Sequence, residues 1–246
     1  MVYFISDAHL GSLLIPDKHE HERKLVRWLE HIRPTATAIY LMGDIFDFWF
    51  EYKTVVPKGY VRLLGKLAEM TDAGIEIHFF TGNHDVWTFG YLEDEAGLIV
   101  HRKPETMNLL GKQFFLAHGD GLDSDKGFAL IRKMFHSRTL QRMFRYFPIE
   151  WGQRFGYHWS MQNRLKHQGY DGKFKGELNE NLVQFSKKYA EEHPEIDFFI
   201  FGHRHIVLDL MLKNKSRTII IGDFLNAFTY GVFDGENFCL EYFETE

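Results

Sequence analysis

An α/β fold of stacked sheets flanked by helices is predicted by two features of the chain. Apolar runs short enough for strands alternate with amphipathic stretches of helical period, and a polar, glycine-containing motif follows nearly every run. Residues 2–6 (VYFIS) form the first predicted strand and lead into DAHLGS. In 22–33, Leu25, Trp28, Leu29 and Ile32 fall on one helical face, and Pro34 stops the helix. Residues 38–42 are strand-like and run into Gly43-Asp44. A second amphipathic helix over 60–73 carries Val61, Leu64, Leu67 and Ala68 and ends at Gly74. The strand over 75–80 feeds Gly82-Asn83-His84-Asp85, and that over 112–117 feeds His118-Gly119-Asp120. Residues 198–201 feed Gly202-His203-Arg204-His205, 218–221 form a further strand, and 231–243 read as a hairpin turning at Asp234-Gly235.

Composition narrows the function classes. The 246 residues are 45% hydrophobic, enough for one domain with a substantial core. A net charge of −5 argues against a surface that broadly coats nucleic acid, and no stable nucleic-acid partner is expected. The single cysteine, Cys239, excludes an internal disulfide framework and a thiolate zinc site. Asp7 interrupts the N-terminal apolar run too early for a secretory signal, and no run approaches the roughly 20 residues that span a bilayer. The expected location is the cytoplasm, with attachment to a membrane surface left open. His19 and His21, beside Glu20 and Glu22, read as a solvated helix start.

One segment differs from the rest. Residues 126–175 hold eleven Lys/Arg against Glu150 and Asp171, a net of +9 inside a chain of −5, together with eleven aromatics. Phe128, Ile131 and Phe135, then Leu140, Met143, Phe144 and Phe147, follow helical spacing. We read 122–180 as a helical cap inserted into a single domain spanning 1–246. Its basic and aromatic composition suits a lipid or a nucleotide, and also single-stranded nucleic acid. The plainer reading is a solvated basic hairpin whose aromatics pack on the core.

The chemistry is carried by seven candidate metal ligands in five motifs: Asp7 and His9 in SDAH, Asp44 in GDIFD, Asn83 in GNHD, His118 in AHGD, and His203 and His205 in GHRH. Carboxylate, imidazole and amide oxygen make a mixed N/O set suited to divalent first-row ions. Two such ions about 4 Å apart can clamp the attacking and leaving oxygens of a displacement at phosphorus. Each motif alone is weak; several ligand types coinciding after strands are strong.

The order Asp-x-His, Gly-Asp-x-x-Asp, Gly-Asn-His-Asp, His-Gly, Gly-His-x-His resembles the calcineurin-like metallophosphoesterase superfamily over nearly the whole chain. The resemblance implies a four-layer α/β/β/α metallophosphoesterase sandwich with an inserted helical cap. It implies that Asp7, His9 and His205 hold one ion, that Asn83, His118 and His203 hold the other, and that Asp44 bridges both. It also implies His84 as the catalytic residue that is no ligand, oriented by Asp47, with Asp85 and Asp120 orienting ligand histidines. Arg204 receives no role.

Within that superfamily, GDIFDFWFE, the insertion after HGD and the closing IGDFLNAFTYGVFDG are most similar to the UDP-2,3-diacylglucosamine diphosphatases of lipid A biosynthesis. That likeness implies hydrolysis of a pyrophosphate to UMP and 2,3-diacylglucosamine 1-phosphate, with two divalent ions, usually Mn²⁺. It implies a nucleotide-sugar lipid as partner and a place in the cytoplasm or on the cytoplasmic face of the inner membrane. The implied substrate contacts are Asn83, Asp125, Ser160, Asn163, Lys166 and His203. The chain departs from the proteobacterial members at His84, where they carry arginine. Two other functions stay open on the residues: a general phosphodiesterase or nuclease, and a non-catalytic scaffold, which should have shed ligands.

Overall fold

Side-chain alternation along the strands builds four layers. The structure, a computed structural model, describes residues 1–122, 134–135, 137–167 and 173–244. One sheet has the order β11-β10-β1-β2-β3-β4, formed by Val2–Ile5 (β1), Ala38–Leu41 (β2), Glu76–Phe80 (β3), Ile99–His101 (β4), Thr229–Phe233 (β10) and Phe238–Tyr242 (β11). The other, β5-β6-β7-β9-β8, is formed by Glu105–Leu109 (β5), Lys112–Leu116 (β6), Phe198–Phe201 (β7), Val207–Met211 (β8) and Arg217–Ile221 (β9). Because successive side chains point to opposite faces, Phe4, Tyr40 and Phe80 of the first sheet meet Phe114, Leu116, Phe198, Ile200, Ile219 and Ile221 of the second. Ring centre to ring centre, Phe4 lies 5.9 Å from Phe114 across this seam and 5.1 Å from Tyr40, its neighbour in the same sheet.

The outer faces bury the helices. Tyr3, Ile5, Ile39, Leu41, Ile77 and Phe79 pack against helix α1 (Lys18–Ile32) and helix α2 (Val61–Asp72) through Leu25, Trp28, Leu29, Leu63 and Leu67. On the far side, Phe115, Phe199, Phe201 and Ile220 pack on Leu182 and Ala190 of Asn181–Glu192, which is α6 in chain order. The α/β/β/α order expected from the sequence is therefore present.

Local signals explain the helix starts. Asp17 caps α1 by accepting from the Glu20 amide at 2.9 Å, so the helix begins four residues before the predicted boundary. Helix α2 has no cap of its own, with Tyr60 in the left-handed region (φ 59°). Its exposed amides are instead met from α1, where Glu22 accepts from Arg62 at 2.9 Å and Leu63 at 3.2 Å. His21 corrects the solvated reading: it is buried, and its Nε2–H donates to the Ala8 carbonyl at 2.7 Å.

Helices α3 (Tyr91–Ala96), α4 (Arg138–Phe144) and α5 (Ile149–His167) complete the described helices. The last two adjoin the body through one aromatic cluster: Phe48, Phe50 and Tyr52 with Trp87, Phe89, Phe144 and Tyr157. The Tyr157 hydroxyl hydrogen-bonds that of Tyr60 at 2.7 Å, tying α5 to the start of α2. No helix among the described residues is long and apolar enough to cross a membrane.

An acid-sensitive contact lies between β3 and β4. His78 and His101 share a hydrogen bond of 3.0 Å, and Tyr40 stacks on His78 at 4.4 Å. Burial, followed by the neighbouring His78, pushes the His101 pKa down from 6.5 to about 4. Burial also lowers His78. The unfolded chain therefore takes up protons first as pH falls, so stability present above pH 6.5 is lost between 6.5 and about 4. A His101→Gln chain should lose stability less steeply over that range in denaturant titrations; equal slopes for the two chains would contradict the assignment.

Candidate metal centre

Parallel pairing of β1, β2 and β3, and of β6, β7 and β9, brings the carboxyl ends of these strands to common edges. Each strand then hands its polar motif to that edge, the usual place for a site in such sheets. Asp7 and His9 follow β1, Asp44 follows β2, Asn83 and His84 follow β3, His118 follows β6, and His203 and His205 follow β7. Main-chain bonds join the loops within each edge, Asp7 donating to Gly43 at 3.1 Å and Gly202 to His118 at 2.9 Å, and Phe224 couples the two edges by donating to Ser6 at 3.1 Å.

The backbone there is unusual. Asp7, His9, Asp44, His203 and His205 all have positive φ, between 46° and 66°. L-residues rarely adopt this region outside strained, over-determined sites. Two glycines make the approach possible. A Cβ on Gly82 would overlap the Asp44 carboxylate, and one on Gly202 would overlap the Ser6 hydroxyl and sit 2.6 Å from Asp7 Oδ2. The sequence motifs GN and GH thus place a residue without a side chain where two loops touch.

Three sets of ligand atoms converge: Asp7, His9 and His205; Asp44, His118 and His203; and His9, Asp44 and His84, each set within 4.8 Å. Asp44 lies between them. Its Oδ2 is 3.3 Å from His118 Nε2 and 3.9 Å from both His9 Nε2 and His84 Nε2, while Oδ1 accepts from the His84 amide at 2.9 Å. Asp7 Oδ2 accepts from Ser6 Oγ at 2.6 Å and from the His203 amide at 2.9 Å. Its other oxygen faces His205 Nε2 at 3.3 Å and His9 Nε2 at 3.6 Å.

The donor set fits divalent cations. Asp7 Oδ1, Asn83 Oδ1 and His118 Nε2 are buried atoms with no hydrogen-bond partner, an expensive condition that a bound cation would relieve. His118 Nδ1–H donates to the Met42 carbonyl at 2.8 Å, which leaves the Nε2 lone pair directed inward. Burial disfavours charge on His118, yet the adjacent Asp44 carboxylate raises its basicity well above the usual histidine. Burial likewise opposes ionisation of Asp44, and His118 and His84 outweigh it and hold that carboxyl well below its ordinary range.

Around this centre the structure refines the roles expected from the sequence. His84 Nδ1–H donates to the main-chain carbonyl of Asp47 at 2.9 Å; the Asp47 carboxylate instead lies 3.5 Å from His9 Nδ1. The residue that meets His84 is the expected one, through its backbone, because the loop turns the side chain back toward β1. Asp85 does not orient a histidine. It accepts from the amides of Gly82 (2.7 Å), Ile45 (2.8 Å) and Phe46 (3.3 Å), so it fastens the loops after β2 and β3 together.

Two residues given no role in the sequence reading hold the GHRH loop. Asp223, after β9, lies 3.2 Å from His205 Nδ1, and its other oxygen accepts from the amides of Leu225, Asn226 and Ala227. It therefore fixes the His205 ring with Nε2 toward Asp7. Arg204 is buried rather than on the surface, and its guanidinium pairs with Glu180 at 2.8 Å and 3.4 Å. Glu180 precedes α6 and is itself 1% exposed, so the pair anchors the segment between His203 and His205 to a helix start. Removing one partner of a buried pair typically costs about 3–5 kcal/mol. Glu180→Ala should show a loss of this size in urea unfolding, and a loss under about 1 kcal/mol would mean that the pair does not hold the loop.

The remaining expected substrate contacts are less gathered. Ser160 lies on α5, buried, with its hydroxyl lacking a partner. The side chains of Asn163 and Lys166, also on α5, and the whole of Asp125 lie outside the described residues. His203 and Asn83 belong to the centre itself.

Comparison with known proteins gives consistent relatives. The family model described as calcineurin-like phosphoesterase matches residues 1–207. A UDP-2,3-diacylglucosamine hydrolase of Porphyromonas gingivalis is 41% identical over 255 residues, covering 99% of this chain and 97% of the relative. Its counterpart by name from Photorhabdus laumondii is 27% identical over 220 residues, covering 87% and 86%. One from Neisseria gonorrhoeae is 31% identical over 155 residues, covering 62% of each.

Proposed function

Because the chain belongs to the calcineurin-like phosphoesterase family, we propose that it is a metal-dependent hydrolase that cleaves the pyrophosphate of UDP-2,3-diacylglucosamine to UMP and 2,3-diacylglucosamine 1-phosphate. The observation that carries the hydrolase reading is the convergence of carboxylates and imidazoles from five strand ends, with three buried candidate ligand atoms lacking hydrogen-bond partners. Support for the substrate is the near-full-length relative of that name.

In this reading Asp7, His9 and His205 would hold one divalent ion and Asn83, His118 and His203 the other, with Asp44 shared between them. Manganese suits this mixed carboxylate, imidazole and amide set. The ions supply positive charge to the phosphate oxygens and make water acidic enough to lose a proton near neutral pH. The protein's part is orientation and proton handling. Met42 and Asp223 fix the tautomers of His118 and His205, keeping their Nε2 atoms inward. His84, held at Nδ1 by the Asp47 carbonyl, presents Nε2 on the Asp44 side of the centre, where it can give a proton to the departing oxygen.

In this reading residues 122–180 act as a cap for this centre, and Ser160, Asn163, Lys166 and Asp125 are its proposed substrate contacts, the last three lying outside the described side chains. Support comes from α4 and α5, which leave Met143, Trp151 and Phe155 exposed among arginines, a surface suited to acyl chains. The same surface provides for attachment to the cytoplasmic face of the inner membrane, where each basic residue near anionic headgroups adds about 1 kcal/mol.

The test is a pair of assays with manganese-loaded protein, one on UDP-2,3-diacylglucosamine and one on bis-p-nitrophenyl phosphate. UMP release with little diester cleavage is the expected result. The reverse would assign a general phosphodiesterase, and inactivity on both would leave a scaffold.

A further inference from the structure

Away from the metal centre, four arginines converge on a cleft of about 360 Å³ between α4 and the segment that follows β3. Arg138, Arg142 and Arg145 come from α4 and its C-terminal end, and Arg102 from just after β4; Thr88 and Glu93 complete the polar lining. None of these residues belongs to the metal centre.

The arrangement is built rather than incidental. Arg145 is held over the Phe89 ring at 4.2 Å from its centroid, and its Nε is buried without a hydrogen-bond partner. Arg102 is fixed by Glu93 at 2.6 Å. Thr88 is 2% exposed, and its hydroxyl also has no hydrogen-bond partner. Among the described residues, Arg138, Arg142 and Arg145 form no ion pair, so the four guanidiniums of the cleft share the one carboxylate of Glu93. Like charges four apart on a helix destabilise it, and an unmet buried hydroxyl adds to that cost. The Phe89 stack and the Glu93 pair offset only part of that cost, and an anion entering the cleft would relieve the rest.

We propose that this cleft is a second binding site, specific for a phosphate group. Planar guanidinium forks match phosphate oxygens two at a time, and the Thr88 hydroxyl can donate to a third oxygen. The volume admits a group larger than bare phosphate. Phosphate in this form comes either free in solution or on the headgroup of an anionic lipid. Exposed Leu140 and Met143 on the same helix give the second source an apolar shoulder.

The test uses the full chain, Arg138→Gln/Arg142→Gln, and Thr88→Val, which removes the hydroxyl without changing charge or volume appreciably. Inorganic phosphate binding is followed by calorimetry, and flotation is measured with phosphatidylglycerol and with phosphatidylcholine vesicles. The metal centre is common to all three chains, so differences between them read the cleft. If the source is free phosphate, the double variant loses one phosphate equivalent and Thr88→Val weakens that equivalent by about fivefold or more. If it is lipid, phosphate titrations coincide, while flotation with phosphatidylglycerol alone falls in both variants. The proposal is overturned if all three chains behave alike in both assays. It is equally overturned if only the double variant loses binding, since that reports general charge rather than a site.

Discussion

An Asp44→Ala chain should lose both metal ions while keeping its secondary structure. The expectation follows from its position: one carboxylate oxygen lies within 3.9 Å of His9, His84 and His118, which belong to different strand ends. Among the described side chains, Asp44 and His9 each appear in two of the three converging sets, and of the two only Asp44 is a carboxylate, with an oxygen to offer each ion. Without that carboxylate, two divalent ions would face each other with no shared anion, at a separation of about 4 Å where repulsion is severe. Metal content by elemental analysis should fall from two per chain toward none. Turnover should fall by more than about 10³, the rate equivalent of several kcal/mol of lost charge stabilisation. Full occupancy in this variant would refute the bridging role. Because Asp44 also accepts the His84 amide at 2.9 Å, Asp44→Asn is the companion variant: it preserves an acceptor there and should still bind metal poorly.

His84→Ala should behave oppositely, retaining both ions while turnover falls by about 10²–10⁴, the usual worth of a positioned acid or base. Its Nδ1 is committed to the Asp47 carbonyl at 2.9 Å, and its ring meets His9 edge-on at 4.9 Å. The Nε2 atom is thus aimed by contacts that do not use it. The loss should be in kcat more than in KM, because proton donation matters in the transition state. It should shrink when the leaving group needs no proton, so a p-nitrophenyl ester offers a direct comparison. Unchanged kcat would remove His84 from the reaction, and loss of metal together with activity would instead place it among the ligands.

Much of this centre was legible in the sequence because its residues follow strands. Runs such as FFIF and KQFFL alternate between two cores, so they read as apolar whichever face is considered, and each delivers its motif to the same edge. Strands β5 and β8 escaped notice for the opposite reason: at the two outer edges of their sheet most of their side chains are exposed, ETMNL is largely polar, and Asp209 interrupts the apolar residues of VLDLM. The second ring of contacts was hidden too. Nothing in GHRH says that Arg204 turns inward to Glu180, and IGDFLN gives no local sign that Asp223 meets His205. Both depend on partners about twenty residues away whose approach is set by tertiary packing. Asp85 shows the same limit, since an acid after a ligand motif can hold either a ring or the loop amides, and here three amides claim it. The positive φ of five centre residues is likewise invisible in their identities, although the glycines beside them signal close approach.

The most direct test is anomalous diffraction at the manganese edge from crystals grown with Mn²⁺. The account predicts two peaks about 4 Å apart, one beside Asp7, His9 and His205 and the other beside Asn83, His118 and His203, with Asp44 reaching both. A single peak, or ions bound anywhere that leaves Asp44 without a cation, would contradict it.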